Sequence, residues 1–179
     1  QMCIRDRIDA DEALDAALCA AIEGAAPDGS TDAYRMLRLN RFCGRVIRSA
    51  GWYPEYVLRL FRTDRVRVET SPAGASGADL HEYYVPRGNV ELLDGAIVHD
   101  SYPNVASYWR KFARYTDIEA AAMDSNPGRL GRSALVAVLR FAWLLVGRGG
   151  VRDGWRGWFI AFGSALYPVA VHWKAVRRR

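Results

Sequence analysis

Residues 157–173, GWFIAFGSALYPVAVHW, contain no Asp, Glu, Lys or Arg and run straight into KAVRRR. So apolar a stretch is unfavourable in water, so it must be buried in a core or set against lipid. A second apolar block, SALVAVLRFAWLLVG (residues 133–147), carries a single Arg. Crossing a bilayer takes roughly 18–20 apolar residues; residues 133–147 fall short of that, and residues 157–173 are borderline and interrupted by Pro168. With Trp155, Trp158 and Trp173 beside flanking arginines, the pattern predicts helices lying in a membrane interface. Two buried helices of a soluble core are the alternative, and partition after a high-salt wash separates the two.

Charge supports the interfacial reading. Residues 129–179 hold nine Arg and one Lys against Asp153 alone, a net +9, so the chain total of +5 leaves −4 for residues 1–128. The basic residues are interleaved with long apolar runs, which points to an anionic membrane surface and away from nucleic acid. With 179 residues, half of them hydrophobic, the chain can form one domain with a proper core or part of a larger one. Cys3, Cys19 and Cys43 show neither metal-ligand spacing nor an even-numbered disulfide framework, which suits a reducing cytoplasm. No basic segment followed by an apolar one opens the chain, so no signal peptide is expected.

Between the ends, AYRMLRLNRF, GRVIRS and YVLRLFR read as short strands, and RLFRTDRVRVE reads as a hairpin through Thr63-Asp64-Arg65. SPAGASGAD (residues 71–79) suits a mobile loop and lacks a phosphate-binding pattern. LHEYYV and AIVHD are strands flanking Pro86-Arg87-Gly88. Residues 103–123 turn helical, with Val105, Tyr108, Trp109, Phe112 and Tyr115 on one broad face.

Near the start, Asp9-Ala10-Asp11-Glu12 precedes Leu14, Leu18 and Ile22 at a spacing of four. Asp is a preferred N-cap and acids suit a helix N-terminus, so a helix is expected to begin here. An EF-hand loop is excluded by Ala13 and Leu14 where Asp or Asn and then Gly are required. What remains is an Asp-x-Asp pair able to share one divalent cation. Arg59 suits an oxyanion, because guanidinium binds phosphate or carboxylate in bidentate fashion. His99 carries an imidazole suited to Mn²⁺-like metals. Trp52 and Tyr53 are candidates for ring stacking or for core packing, and Lys111 with Arg114 form a basic helix face suited to phosphates. His172, among apolar residues, is read as interfacial. No Gly-x-Ser-x-Gly elbow, His-Glu-x-x-His pair or Gly-x-Gly-x-x-Gly loop is present.

The ordered set IDADE, YRMLRLNRFCGRVIRSAGWYPEYVLRLFR, LHEYYVP, IVHDSYPNVASYWRKFARYT and GRGGVRDGWRG resembles the second half of a family 2 glycosyltransferase, over residues 8 to about 176. The nearest kinds are lipopolysaccharide core β-1,4-glucosyltransferases. The resemblance implies an α/β fold, a partial GT-A (Rossmann-like) catalytic domain over residues 8–128, followed by a membrane-association region over 129–179. It implies that Asp9 and Asp11 hold Mg²⁺ or Mn²⁺ against the diphosphate of a nucleotide sugar, a UDP-sugar, with His99 completing the shell and Arg59 on the donor side. Glu82 would be the catalytic base of an inverting transfer, although His81 precedes it where the family commonly has another acid. The expected acceptor is a lipid-linked glycan such as lipopolysaccharide core, at the cytoplasmic face of the bacterial inner membrane. Since the family's donor-binding βα units precede Asp-x-Asp, the chain is expected to be a fragment, inactive as written, with residues 1–7 an assembly artefact. A non-enzymatic membrane-surface binding module is the rival from another class.

Overall fold

The structure, a computed structural model, describes residues 4–6, 8–25, 31–70, 82–123 and 126–178. It is an α/β protein that divides into two compact units.

The first unit is built on a mixed sheet in the order β1 (Ile4–Asp6), β5 (Glu55–Arg62), β3 (Ala33–Phe42), β8 (Val90–Tyr102), β2 (Glu12–Leu14), with β4 (Arg45–Val46) paired to β3. β1, which falls in the segment expected to be an artefact, pairs antiparallel with β5. β5 and β4 also run antiparallel to β3, and β2 antiparallel to β8. β3 and β8 advance in the same direction: the Asn89 carbonyl accepts from the amides of Asp32 and Ala33 at one end, and Asn40 meets His99 and Ser101 at the other. The β3–β4 turn is tight, with Cys43 and Gly44 both at positive φ (48° and 75°), as a two-residue hairpin loop requires.

One face of this sheet is divided between two chemistries. Its apolar end gathers Met36, Leu60 and Ile97 around Leu18 of α1 (Ala16–Gly24), with Leu14, Ile22 and Val57 packed alongside. Its other end carries Glu12, Arg38, Asn40, Glu55, His99 and Ser101, described below. The helix seats closely because Gly95 (φ 92°) passes beneath it; a Cβ there would come within 2.2 Å of the Leu18 amide nitrogen.

Two expectations are corrected here. The helix does not start at Asp9-Ala10-Asp11-Glu12, because Glu12–Leu14 is drawn into the sheet by pairing with β8. The cap is Asp15, whose carboxylate accepts from the amides of Leu18 (2.8 Å) and Ala96 (3.0 Å), tying helix to strand. The turn at Thr63-Asp64-Arg65 forms, yet β5 and β6 (Val66–Thr70) are not partners. Both edges of β5 are taken by β1 and β3, so β6 pairs instead with β7 (Glu82–Pro86) in a separate two-stranded sheet.

The second unit takes in residues 47–53 and the chain from Tyr102 onward. α2 (Val105–Ala122) begins with a reciprocal cap between Asn104 and Ser107, α3 (Pro127–Ala142) continues as a π turn to Gly147, and α4 (Trp155–Arg177) follows a 3-10 turn. The aromatic face read in the sequence is the packing face: Tyr108 and Trp109 meet Phe159, and Phe112 meets Tyr167. Gly163 admits the Tyr108 hydroxyl, which lies 2.0 Å from where a Cβ would stand. Asp153, buried, accepts from the Arg48 amide at 3.0 Å and from the Ser49 hydroxyl, fastening the turn before Trp52 to the start of α4.

The apolar helices are longer than their uncharged cores in the sequence. Gly128–Gly147 (20 residues) and Trp155–Arg177 (23 residues) are each long and apolar enough to cross a membrane. Leu135, Val138, Leu139, Trp143 and Val146 are 59–75% exposed, so this face of the helix is not covered by the described residues.

Candidate functional site

The site grows from the turn before β2. Asp9 and Glu12 close it with a backbone bond of 3.0 Å and a bond of 3.2 Å from the Asp9 amide to the Glu12 carboxylate. In register, Glu12 then stands opposite His99 on β8, and the Asp11 carbonyl accepts from the Asp100 amide at 2.9 Å. This places the Asp11 carboxylate 3.3 Å from His99 Nε2.

The other imidazole nitrogen is oriented from behind. Asn40 donates its amide to Glu55, which leaves Asn40 Oδ1 as an acceptor 2.8 Å from His99 Nδ1; Ser101 donates to the same oxygen at 3.0 Å. Asn40 Oδ1 can only accept, so the proton it faces belongs on Nδ1, and Nε2 faces the Asp11 carboxylate. An imidazole held this way is suited to ligating a cation, and when protonated it ion-pairs with Asp11.

Glu12, with no exposed side-chain surface, joins this strip to the guanidinium pair: its Oε1 lies 2.8 Å from Arg59 Nη2 and 3.4 Å from Arg38 Nη1. Arg59 also holds Asp9 at 2.7 Å, and Arg38 grips Glu55 through two bonds of 2.6 and 3.1 Å. Burial, the largest influence on Glu55, pushes its carboxyl up, but the hydrogen bonds and charge of Arg38, with Asn40, together hold it below the ordinary value. Burial likewise pulls Arg38 down, and Glu55 and Glu12 outweigh it, leaving Arg38 raised. Four carboxylates (Asp9, Asp11, Glu12 and Glu55) against two guanidiniums leave the strip two charges short of neutral, a field favourable to a divalent cation.

Arg59 reaches this face through a bulge. Tyr34 pairs with Leu60 and Arg35 with Leu58, so Arg59 is the extra residue, and strict alternation fails at that point. Arg59 and Leu60, which alternation would set on opposite faces, serve the same one: Arg59 binds Glu12, and Leu60 packs with Met36 and Ile97.

Four of the sequence-derived site residues, Asp9, Asp11, Arg59 and His99, thus fall on one strip. Glu82 opens β7, but its side chain and His81 lie outside the described residues. The residues 71–79 loop also lies outside them. Asp11 and His99 face each other, whereas Asp9 is engaged by Arg59, and among the described residues no group of three His, Cys, Asp or Glu forms a metal shell. Their donor chemistry fits a hard divalent cation at the Asp11–His99 pair, and Asp9 joins only by exchanging its arginine. The sequence reading missed Glu12, Arg38, Asn40, Glu55 and Ser101. A polar period of two, Arg38 and Asn40 in a strand continuing from Met36, was the available signal.

In the second unit, Trp52 packs on Tyr102 at 5.6 Å, and Lys111 lies over the Tyr102 ring at 5.0 Å. Arg48 covers Tyr53, and Arg114 covers Tyr115. A cleft of about 670 Å³ opens between α2, α3 and α4, with Trp52, Tyr102 and His172 on its wall.

No protein-family model matches the chain, and no solved structure matches it significantly.

Proposed function

We propose that the chain is the Asp-x-Asp-bearing part of a metal-dependent inverting glycosyltransferase of GT-A type, transferring a sugar, glucose, from a UDP-sugar to a lipid-linked glycan such as lipopolysaccharide core. The observation that carries the reading is the Asp11–His99 pair, 3.3 Å apart, with the His99 tautomer set by Asn40. Asp9, Asp11, His99 and Arg59 supply two carboxylates, an imidazole and a guanidinium to one strip of the first unit.

A bound Mg²⁺ or Mn²⁺ would stabilise the charge developing on a departing nucleoside diphosphate. The chain's own residues prepare for it: Asn40 fixes the His99 ring, Glu12 restrains Arg59, and Arg59 is the cation placed to meet a phosphate oxygen when Asp9 turns away. Glu82 is assigned the proton from the attacking acceptor hydroxyl, a role typically worth about 10²- to 10⁴-fold. The exposed apolar helices and the +9 charge of residues 129–179 support a lipid-borne acceptor met at the cytoplasmic leaflet, in peripheral or monotopic fashion.

The test is Mn²⁺ binding, followed by calorimetry on the chain as it stands and on Asp11→Ala and His99→Ala. Mn²⁺ binding that is lost in both variants supports the reading; binding indifferent to either sinks it. The exposed apolar face also favours a second reading, a membrane-surface module without catalysis. Vesicle binding with no Mn²⁺ binding would select that one.

A further inference from the structure

The α2–α3–α4 cleft belongs to no part of the strip around Glu12, and its about 670 Å³ lies within the ordinary range for small-ligand sites. Its wall is chemically mixed. Trp52 and Tyr102 supply aromatic surface, of the kind on which the apolar faces of sugar rings rest. Ser164 and Pro168 line it together, and Pro168 has no N–H to give the Ser164 carbonyl, which leaves an acceptor for a hydroxyl. His172 commits Nδ1 to the Pro168 carbonyl at 2.8 Å, so Nε2 remains for a ligand. The one acid on the wall is Glu119, whose carboxyl burial pushes up and whose partner is Tyr167.

The cations come from α3. Arg129 and Arg140 both line the cleft, eleven residues apart, which brings them within about 20° of each other on the helix and about 16 Å apart along it. Neither has an acidic partner among the described residues. On the same helix Val136 (45% exposed) lies within about 40° of both arginines and Leu139 (65% exposed) about 80–100° from them, which begins an exposed apolar arc. A ligand that satisfies both arcs has anionic groups for the arginines, hydroxyls for the wall and acyl chains for the apolar arc.

We propose that this cleft binds the phosphorylated, sugar-bearing head group of a membrane glycolipid, with α3 set in the lipid beside it. The proposal rests on the lipid-linked acceptor of the proposed function and names its chemical class: an anionic glycolipid whose phosphate, not its sugar alone, is recognised. A free sugar phosphate shares the head-group chemistry but offers nothing to Val136 and Leu139.

The experiment is co-sedimentation with phosphatidylcholine vesicles containing either a diphosphorylated glucosamine-disaccharide lipid or phosphatidylglycerol at matched charge, with neither metal nor nucleotide added. The chain is expected to prefer the glycolipid vesicles by about tenfold or more, and Arg129→Gln/Arg140→Gln to remove the preference while keeping phosphatidylglycerol binding within a few fold. Trp52→Ala, folded by circular dichroism, should weaken the preference with both arginines intact. Equal binding to the two vesicle types, or a preference that survives the double arginine variant, overturns the proposal. Glucose 1-phosphate in solution should compete weakly; competition as strong as that of the glycolipid overturns the lipid source. Because no donor is present, a lost preference with Mn²⁺ binding at Asp11 and His99 intact removes the cleft alone. A retained preference with no Mn²⁺ binding upholds the cleft and removes the transferase.

Discussion

In the sheet unit a carboxylate without exposed side-chain surface, Glu12, is enclosed by Arg38 and Arg59, while in the helical unit Leu135, Val138, Leu139 and Val146 stand 65–75% exposed. Each arrangement is unfavourable taken alone. Removing charges from water costs more than an isolated ion pair returns, and large aliphatic side chains in water forgo their transfer free energy. Under the proposed function the two arrangements divide the work: oriented charge in one unit serves a small polar partner, and apolar surface in the other serves a lipid.

The comparison breaks most visibly at Glu12. Glu12→Ala leaves two largely buried guanidiniums facing each other and should cost the sheet unit about 3–5 kcal/mol. Hydrogen exchange along β3 and β5 is the measurement, because all six tryptophans lie in the helical unit and their emission follows that unit. Protection within error of the original would mean that the ion network is dispensable. Next in size is Gly95→Ala, expected to cost about 1–3 kcal/mol through positive φ and the clash with Leu18, read as earlier exchange in α1 and β8. An unchanged exchange pattern would show that α1 can lift away freely.

On the helical side, Leu139→Ala/Val146→Ala should lower partition into phosphatidylglycerol-containing vesicles by about tenfold or more, since each side chain is worth about 1.5–3 kcal/mol when fully buried. The thermal midpoint should hardly move, as both residues are exposed. A large fall in midpoint with unchanged partition would assign that face to protein packing. The smallest effect is the response to acid. Glu55 titrates below its ordinary value of 4.5 in the folded chain, so its contribution is fully present above that value and is lost as pH falls through the lower folded one. Urea titrations from neutral pH to about pH 3 should show this loss, and Glu55→Gln should flatten it. Equal acid slopes in the two proteins would remove the Arg38–Glu55 pair from the account.

Much of the local structure was legible. The alternation of residues 33–42 and the capped aromatic periodicity of residues 105–122 name a strand and a helix, because period and cap chemistry are local. The acid run was legible as chemistry and misleading as structure. Asp9, Asp11 and Asp15 are all plausible caps by composition, and β8 decides among them by pairing with Glu12–Leu14 and donating the Ala96 amide to Asp15. Leu14, Leu18 and Ile22 do meet in one core, although Leu14 arrives there from a strand. The hairpin through Thr63-Asp64-Arg65 failed for a non-local reason, the prior occupation of both β5 edges.

The sequence by itself determined which residue types are present for chemistry, where the charge changes sign, and that residues 129–179 must find apolar surroundings. These follow from composition and periodicity, which need no partner strand. Tertiary structure alone decided that Glu12 is the buried acid, that a bulge brings Arg59 to the face of Arg38 and Glu55, and that Asn40 orients His99. Each depends on register between strands separated by dozens of residues, and a one-residue slip would turn the same side chains to the opposite face.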